Sequence, residues 1–276
     1  NSTFWYDNQL PFIEARAVRD GRQVCFDKHS HDSFSIGVIT HGQAIFLNNG
    51  KRQVSQGDVT IMNPGEVHAC NPIGGAGWSY RMFYVETEWF GRIQADLRGG
   101  REGEFSDLGQ VVHQSPALFH ALNALYSTLT SRDATTLSRE VAATKVFGDV
   151  FDTLGGVRRA EPLDSDRISI AADFIRDNWK EDLGLDEICT VSGLSASYLI
   201  RSFRRRFGLT PYAYLINRRI QKARKMLRDG ANILDVAYAT RFYDQAHFQR
   251  TFKRFTAVNP GLYATEVSNH APANAR

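Results

Sequence analysis

His29 and His31, separated by one residue, and His68, just after the Pro64-Gly65 turn, are the residues best placed by type and spacing to do chemistry. On an extended strand residues i and i+2 point the same way, so the first two imidazoles share a face. Three imidazoles on a rigid frame can hold a transition metal with a coordination position left open. They can also hydrogen-bond a small polar ligand in a pocket, or cap strand ends and pack in a core. His41 and Cys70 are the candidates for a fourth metal ligand. Trp78, Tyr80, Met82 and Tyr84 alternate onto one strand face, either as walls of the same cup or as core. Glu14 and Arg16 share a face of an early strand and can clamp a ligand's hydroxyls or carboxylate, or pair with each other. A small organic ligand is preferred, because pockets orient such ligands with a few polar groups. The expected effector-binding set is Arg16, His29, His31, His68, Trp78, Tyr80 and Met82, with no catalytic residue, metal or cofactor.

A second set lies near the other end. "SASYLIRSFRRRF" (195–207) returns 49 residues later as "DQAHFQRTFKRF" (244–255), with Arg201 over Arg250, Phe203 over Phe252 and Arg204 over Lys253. Regular self-similarity means one structural unit used twice. In each copy a short helix, a turn and a second helix follow one another. Ser195 and Asp244 are placed as N-caps, accepting backbone N–H groups. Leu199 with Phe203, and Phe248 with Phe252, face inward at i, i+4 spacing. The outer faces then carry Ser197, Ile200, Arg201 and Arg204 in one copy, and Gln245, Gln249, Arg250 and Lys253 in the other. Such a unit is a helix-turn-helix, whose second helix enters the major groove. Gln pairs with adenine and Arg with guanine in bidentate fashion.

Between the copies, Thr210-Pro211 starts a helix with Thr as cap and Pro at the first helical position. Ile216, Ile220, Ala223 and Leu227 form its buried stripe, and Asp229-Gly230 ends it. Its ~18 residues span roughly 27 Å, which with the flanking units approaches the roughly 34 Å between adjacent major grooves on one DNA face.

Charge agrees with this division. From Asp164 onward 18 Lys/Arg stand against 12 Asp/Glu, a net of +6, whereas the first 163 residues hold 15 against 18, a net of −3. Arg201 to Arg228 contains ten basic residues and no acidic one. A polyanion is the expected partner of the C-terminal part alone. A length of 276 residues suits more than one domain. No apolar run approaches the ~18 residues of a membrane span, and no leader pattern is read. Cys25, Cys70 and Cys189 are scattered and odd in number, as suits reduced thiols. A cytoplasmic protein with no membrane partner is expected.

The elements that must position these residues follow from periodicity. Residues 12–85 alternate and are broken by turns, at Asn49-Gly50 in particular, as in a sandwich or barrel. Leu118, Leu122, Leu125 and Leu129 line one side of a helix; Leu137, Val141, Phe147, Phe151 and Leu154 line another, which Gly155-Gly156 stops. The expected fold class is α+β and multidomain. An N-terminal β-barrel of cupin or jelly-roll type (1–112) leads through connecting helices (113–156) and a linker (157–165) to an all-α domain with two helix-turn-helix units (166–265) and a tail (266–276).

The stretch from Asp166 to Tyr263 resembles the DNA-binding region of the AraC/XylS family of bacterial transcription regulators. The resemblance rests on "LSASYLIRSFRRRFGLTPYAYLINRRIQKARKML", "ILDVAYATRFYDQAHFQRTFKRF" and the closing "NPGLYA". It implies base contacts at Ser197, Ile200, Arg201, Gln245, Gln249 and Arg250, and backbone contacts are expected at Ser195, Arg204 and Lys253. Arg241, Ala246 and Ala257 depart from the family, which commonly has Gly, Ser and Gly there. "DKHSHDSFSIGVITHG" and "GDVTIMNPGEVHACN" resemble the two sequence blocks of the cupin barrel, which in many such regulators binds an effector. Metal-binding cupins add a Glu soon after the HxH pair, and this sequence lacks it.

The resemblance implies a sequence-specific regulator, not an enzyme, whose DNA binding or activation is controlled by a small molecule in the barrel. Expected partners are double-stranded DNA through two adjacent major grooves per chain, a small-molecule effector, RNA polymerase, and a second copy held by Leu118, Leu122, Leu125 and Leu129. The alternatives are a cupin metalloenzyme or metal sensor with a helical DNA-binding tail, and a barrel that serves only as scaffold.

Overall fold

The computed structural model describes residues 2–48, 50–98, 104–109, 111–155 and 165–268. Eight antiparallel strands come first: β1 (Ser2–Tyr6), β2 (Ile13–Val18), β3 (Phe34–Leu47), β4 (Lys51–Ser55), β5 (Asp58–Met62), β6 (Ala69–Pro72), β7 (Trp78–Val85) and β8 (Val112–Gln114). They form one sheet in the order β1-β2-β7-β3-β5-β8, with β4 and β6 both paired to the far half of β3. The long β3 bends where its register against β7 shifts between Ile39 and His41. At that bend Gly42 has φ 72°, and a Cβ there would meet the Gly77 carbonyl oxygen at 2.1 Å. Only glycine fits, and the kink lets one strand serve two faces of the barrel. β3 and β4 pair across the expected hairpin (Leu47 opposite Lys51), although Asn49 of its turn lies outside the described residues.

β8 extends the barrel two residues past the expected boundary at 112, because Val112–Gln114 pairs with β5. The helix α1 (Thr87–Leu97) between β7 and β8 has no counterpart in the sequence reading. Helices α2 (Pro116–Thr130) and α3 (Thr136–Leu154) then pack on the sheet.

The leucine stripe requires a correction. Leu118, Leu122, Leu125 and Leu129 are at most 2% exposed and belong to the core shared by barrel, α1, α2 and α3. Four-three-four spacing fits an intrachain partner as well as an interchain one, and here α3 and the sheet take it. In α3, Leu137 and Val141 are exposed; the inward stripe is Ala143, Val146, Phe147, Val150, Phe151 and Leu154. Gly155 follows the last helical residue, as expected.

The helical domain comprises α4 (Ser165–Asp177), α5 (Leu185–Ser192), α6 (Ala196–Phe207), α7 (Pro211–Arg228), α8 (Ile233–Ala239), α9 (Gln245–Thr256) and α10 (Pro260–Ser268). The linker expected at 157–165 falls outside the described residues except for Ser165, which already starts α4. The tail is not a tail at its start: α10 continues past 265 and buries Val267. Thr210 caps α7 and Asp244 caps α9, each accepting a backbone N–H. Ser195 makes no cap bond to α6, contrary to expectation. Leu199, Phe203, Phe248 and Phe252 are all fully buried, as is the Ile220, Ala223, Leu227 stripe of α7.

Candidate functional site

The three histidines converge. His29 and His68 pair through their backbones (N–H to O 3.0 and 2.8 Å), and His31 completes a triangle with ring centroids 4.6–5.0 Å apart. All three are buried. The Nδ1 of His29 lies 2.7 Å from the Asp27 carbonyl and that of His68 2.9 Å from the Glu66 carbonyl. A carbonyl only accepts, so both rings carry their proton on Nδ1 and keep a bare lone pair on Nε2. Burial pushes His68 down to about 4. Burial also holds His29 and His31 well below the usual histidine range, with His68 and Arg224 adding repulsion to both and His29 to His31. The cluster is therefore neutral at physiological pH.

Around it lies a small cavity of about 30 Å³, lined by the histidines with Phe26, Phe46, Cys70, Trp78, Tyr80, Met82 and Tyr84. Trp78, Tyr80 and Met82 thus share one cavity with the histidines. Burial pushes the Cys70 thiol up to about 12; neither Cys70 nor His41 joins the histidine cluster among the described residues. The Tyr80 hydroxyl and Arg16 Nε are buried without a hydrogen-bond partner. Buried polar groups are rarely left so; Tyr80 lines this cavity, whereas Arg16 lines a second one at the junction with the helices.

The helical domain closes over this cup. Arg16 sits 5.0 Å from the Phe4 ring and 5.3 Å from the Phe26 ring, and its Nη1 donates to the Thr256 carbonyl (2.8 Å). Glu14 does not pair with Arg16. Its carboxylate, 1% exposed, accepts from Arg224 Nη2 (2.7 Å), Arg228 Nη1 (3.2 Å) and the Tyr263 hydroxyl (2.8 Å). Burial pushes Glu14 up, but Arg224 and Arg228 outweigh it and hold the carboxyl below its usual range. Asn217 brackets Ser30 with three hydrogen bonds. Arg218 pairs with Asp32, and Arg254 with Asp27 (2.6 Å). Phe4 and Tyr6 of β1 enter the apolar core of the second helix-turn-helix unit, and Val67 packs against the first. A smaller cavity of about 10 Å³ spans the junction, touched by Arg16, His29 and His31 from the barrel and by Gln221, Arg224 and Tyr263 from the helices.

None of these interdomain partners was legible from spacing, since each hydrogen-bonded or ionic pair is separated by nearly two hundred residues or more. The one signal was the placement of two charged residues, Glu14 and Arg16, in a short strand that is otherwise apolar.

Docking leaves the outer faces of the two units accessible. Ile200, Arg201 and Arg204 on α6 and Gln245, Gln249, Arg250 and Lys253 on α9 are exposed, as is Ser195. Ser197 stands in the first turn of α6. Gly193 turns α5 into α6 with φ 65°, whereas the equivalent turn uses Arg241 at φ 61°. That left-handed residue is held by Arg241 Nε donating to the Lys180 carbonyl at 2.7 Å. Ala257 (φ 58°) ends α9 as Gly208 (φ 69°) ends α6. Among the described residues, no helix is long and apolar enough to cross a membrane.

Comparison with known proteins agrees with this architecture. Residues 13–146 match the AraC-like ligand binding domain and residues 188–266 a helix-turn-helix domain. The chain is 27% identical over 242 residues to the HTH-type transcriptional regulator YbfI of Bacillus subtilis, covering 86% of each. It is 23% identical to the HTH-type transcriptional activator RhaS of Escherichia coli, over 84% of this chain and 85% of that one. Apo ToxT K231A from Vibrio cholerae has a similar fold (TM-score 0.60, 14% identity, 97% and 96% coverage), as does the unsaturated fatty acid-bound wild-type ToxT (TM-score 0.59, 14% identity, 98% of each). A ligand-binding barrel carrying a pair of helix-turn-helix units, matched along nearly its whole length by such regulators, belongs to the AraC family of transcription regulators.

Proposed function

We propose that this AraC-family regulator reads two adjacent major grooves through α6 and α9, and that a small polar ligand in the histidine cup changes how firmly the helical domain is docked on the barrel. Base contacts come from Ser197, Ile200, Arg201, Gln245, Gln249 and Arg250, with Ser195, Arg204 and Lys253 on the phosphates. The ligand is held by Arg16, His29, His31, His68, Trp78, Tyr80 and Met82. The chain works without catalysis, in the cytoplasm, as a pair of copies meeting away from the buried leucine stripe, and passes its signal to RNA polymerase.

One observation carries the control step. The segment 27–32 faces two ways: His29 and His31 line the cup, while Asp27, Ser30 and Asp32 hold Arg254, Asn217 and Arg218 of the helical domain. A ligand that moves the histidines moves the residues that grip the head, so ligand affinity and docking are linked. The test is salt-dependent binding of the full chain to a random-sequence duplex pool, followed by selection. Enrichment of a two-part site about one helical turn apart is expected, with log K falling by about 0.9 per phosphate contact against log salt. Weak binding indifferent to sequence overturns the reading.

A further inference from the structure

We propose that the groove between the outer face of the barrel and α2, centred on Arg81, binds the phosphate group of a small phosphorylated molecule. The site is separate from the histidine cup and from the DNA-reading helices, so it goes beyond the regulator reading and does not depend on it.

Arg81 is set for such a ligand before one arrives. It lies on β7 between Tyr80 and Met82, and alternation along the strand turns its side chain away from theirs, toward α2. There its Nη1 donates to the Asn123 carbonyl (3.0 Å) and to Asn123 Oδ1 (2.7 Å). Asn123 is itself pinned, because its Nδ2 donates to the Phe119 carbonyl one turn earlier at 2.8 Å. The guanidinium also lies 4.6 Å from the centre of the Tyr126 ring, and the Tyr126 hydroxyl meets Thr3 Oγ1 at 3.2 Å. One nitrogen and one ring face therefore fix its position and tilt. Nε and Nη2 take no acceptor among the described residues, which leaves the side edge of the fork to offer two parallel donors to an oxyanion.

The groove has no negative charge of its own. Two open lobes, of about 290 and about 500 Å³, meet at Arg81 and Thr40 and have the room of a metabolite site. Arg19 and His41 line the first and His120 the second, and no aspartate or glutamate lines either. Burial holds Arg81 below the usual arginine range; Tyr126 works against this, Arg19 works with it, and no carboxylate enters. By contrast Arg139, also packed between a helix and the barrel, has Asp7 at 3.3 Å. A half-buried cation without a counter-ion is costly, and an anion from solution offsets that cost. Two guanidiniums call for more than one negative charge. A phosphate monoester carries about −1.5 to −2 at neutral pH and has three acceptor oxygens, whereas a carboxylate carries a single charge. Arg81 supplies the bidentate edge and Arg19 the second charge, while Thr40, which lines both lobes, adds a hydroxyl.

The test is isothermal titration calorimetry of the full chain with inorganic phosphate and with methyl phosphate, chloride holding ionic strength constant and acetate titrated in parallel. Saturable binding of one phosphate compound per chain is expected, with acetate much weaker. Arg81→Gln should weaken it at least about tenfold, through loss of a charged hydrogen-bond pair. That variant also releases Asn123, so Arg19→Gln, at an exposed position, is measured beside it and should weaken binding about threefold. Circular dichroism checks that both variants are folded, and His68→Gln should bind phosphate as the wild type does. Absence of saturable binding at millimolar phosphate overturns the site, and so does acetate binding equally well at matched ionic strength. Binding unchanged in both arginine variants also overturns it, as does binding lost in His68→Gln or Lys253→Ala, which would put the anion in the cup or on the DNA face.

Discussion

The Tyr263 hydroxyl in α10 donates a 2.8 Å hydrogen bond to Glu14 in β2, so the last described helix is tied to a carboxylate buried in the barrel. With Arg224 and Arg228 on the same carboxylate, Glu14 is the hub of the junction. Removing one partner of a buried, hydrogen-bonded ion pair typically costs about 3–5 kcal/mol. Glu14→Ala is therefore expected to uncouple the two domains, and calorimetry should resolve two transitions where the wild type has one. A single transition at the wild-type temperature would place the docking energy elsewhere.

Acid should unfasten the barrel before it unfastens the junction. The three histidines are held below their usual range, so the folded state binds fewer protons than the unfolded one between pH 6.5 and the lowered values. Their contribution is complete above pH 6.5 and is lost as pH falls toward 4, where His68 alone accounts for roughly 3 kcal/mol. Glu14 is lowered as well; its contribution is present above about pH 4.5 and is lost only as pH falls through its folded value. Urea unfolding at pH 7.5, 6, 5 and 4 should show stability falling from the first interval below 6.5. A flat profile down to pH 5 would mean that the histidines are solvated.

On DNA, Arg250 and Lys253 should separate cleanly. Arg250→Ala is expected to cost about 1–3 kcal/mol and to relax preference at one base pair, whereas Lys253→Ala weakens all duplexes alike and lowers the salt slope by about one. Competition binding against single-base variants of a selected site distinguishes them. Equal weakening of every duplex by Arg250→Ala would move that residue to the phosphate set.

Leu122 is fully buried, so Leu122→Ala should destabilise the N-terminal domain by about 2–5 kcal/mol. Sedimentation velocity of the variant at low temperature should leave the oligomeric state as in wild type. Dissociation at full helix content would instead return the stripe to a subunit contact.

Ala257 closes α9 in a left-handed conformation that costs a non-glycine residue about 1 kcal/mol. Ala257→Gly is expected to raise stability by up to that amount, read as a shift of the denaturant midpoint at unchanged slope. Arg241 is a poorer test, because glycine there would also lose the bond to the Lys180 carbonyl.

Much of the helical domain was legible because its determinants are local: caps at Thr210 and Asp244, the Leu199/Phe203 and Phe248/Phe252 pairs, and the stripe of α7. The histidine cup was legible in part: the spacing put His29 and His31 on one strand, whereas they lie in the loop before β3, and an isolated bridge joins His29 to His68. Ser195 illustrates a limit, as residue type alone does not choose the rotamer that makes a cap bond. The leucine stripe shows another, because periodicity gives the apolar face and not its partner. Glu14, Arg224 and Tyr263 could not be joined from sequence; nothing local records which distant strand a basic helix will meet.

The tie between Glu14 and Tyr263 also sets an order of events during synthesis. The two residues stand 249 positions apart, so at ~5–20 residues per second a ribosome needs roughly 10–50 s to make the second after the first. Through that interval the barrel carries an unpaired carboxylate and the bare apolar side of Phe4 and Tyr6. The nascent chain must tolerate a half-finished surface that only the last helices cover, and a charged group on that surface keeps it from sticking to its neighbours.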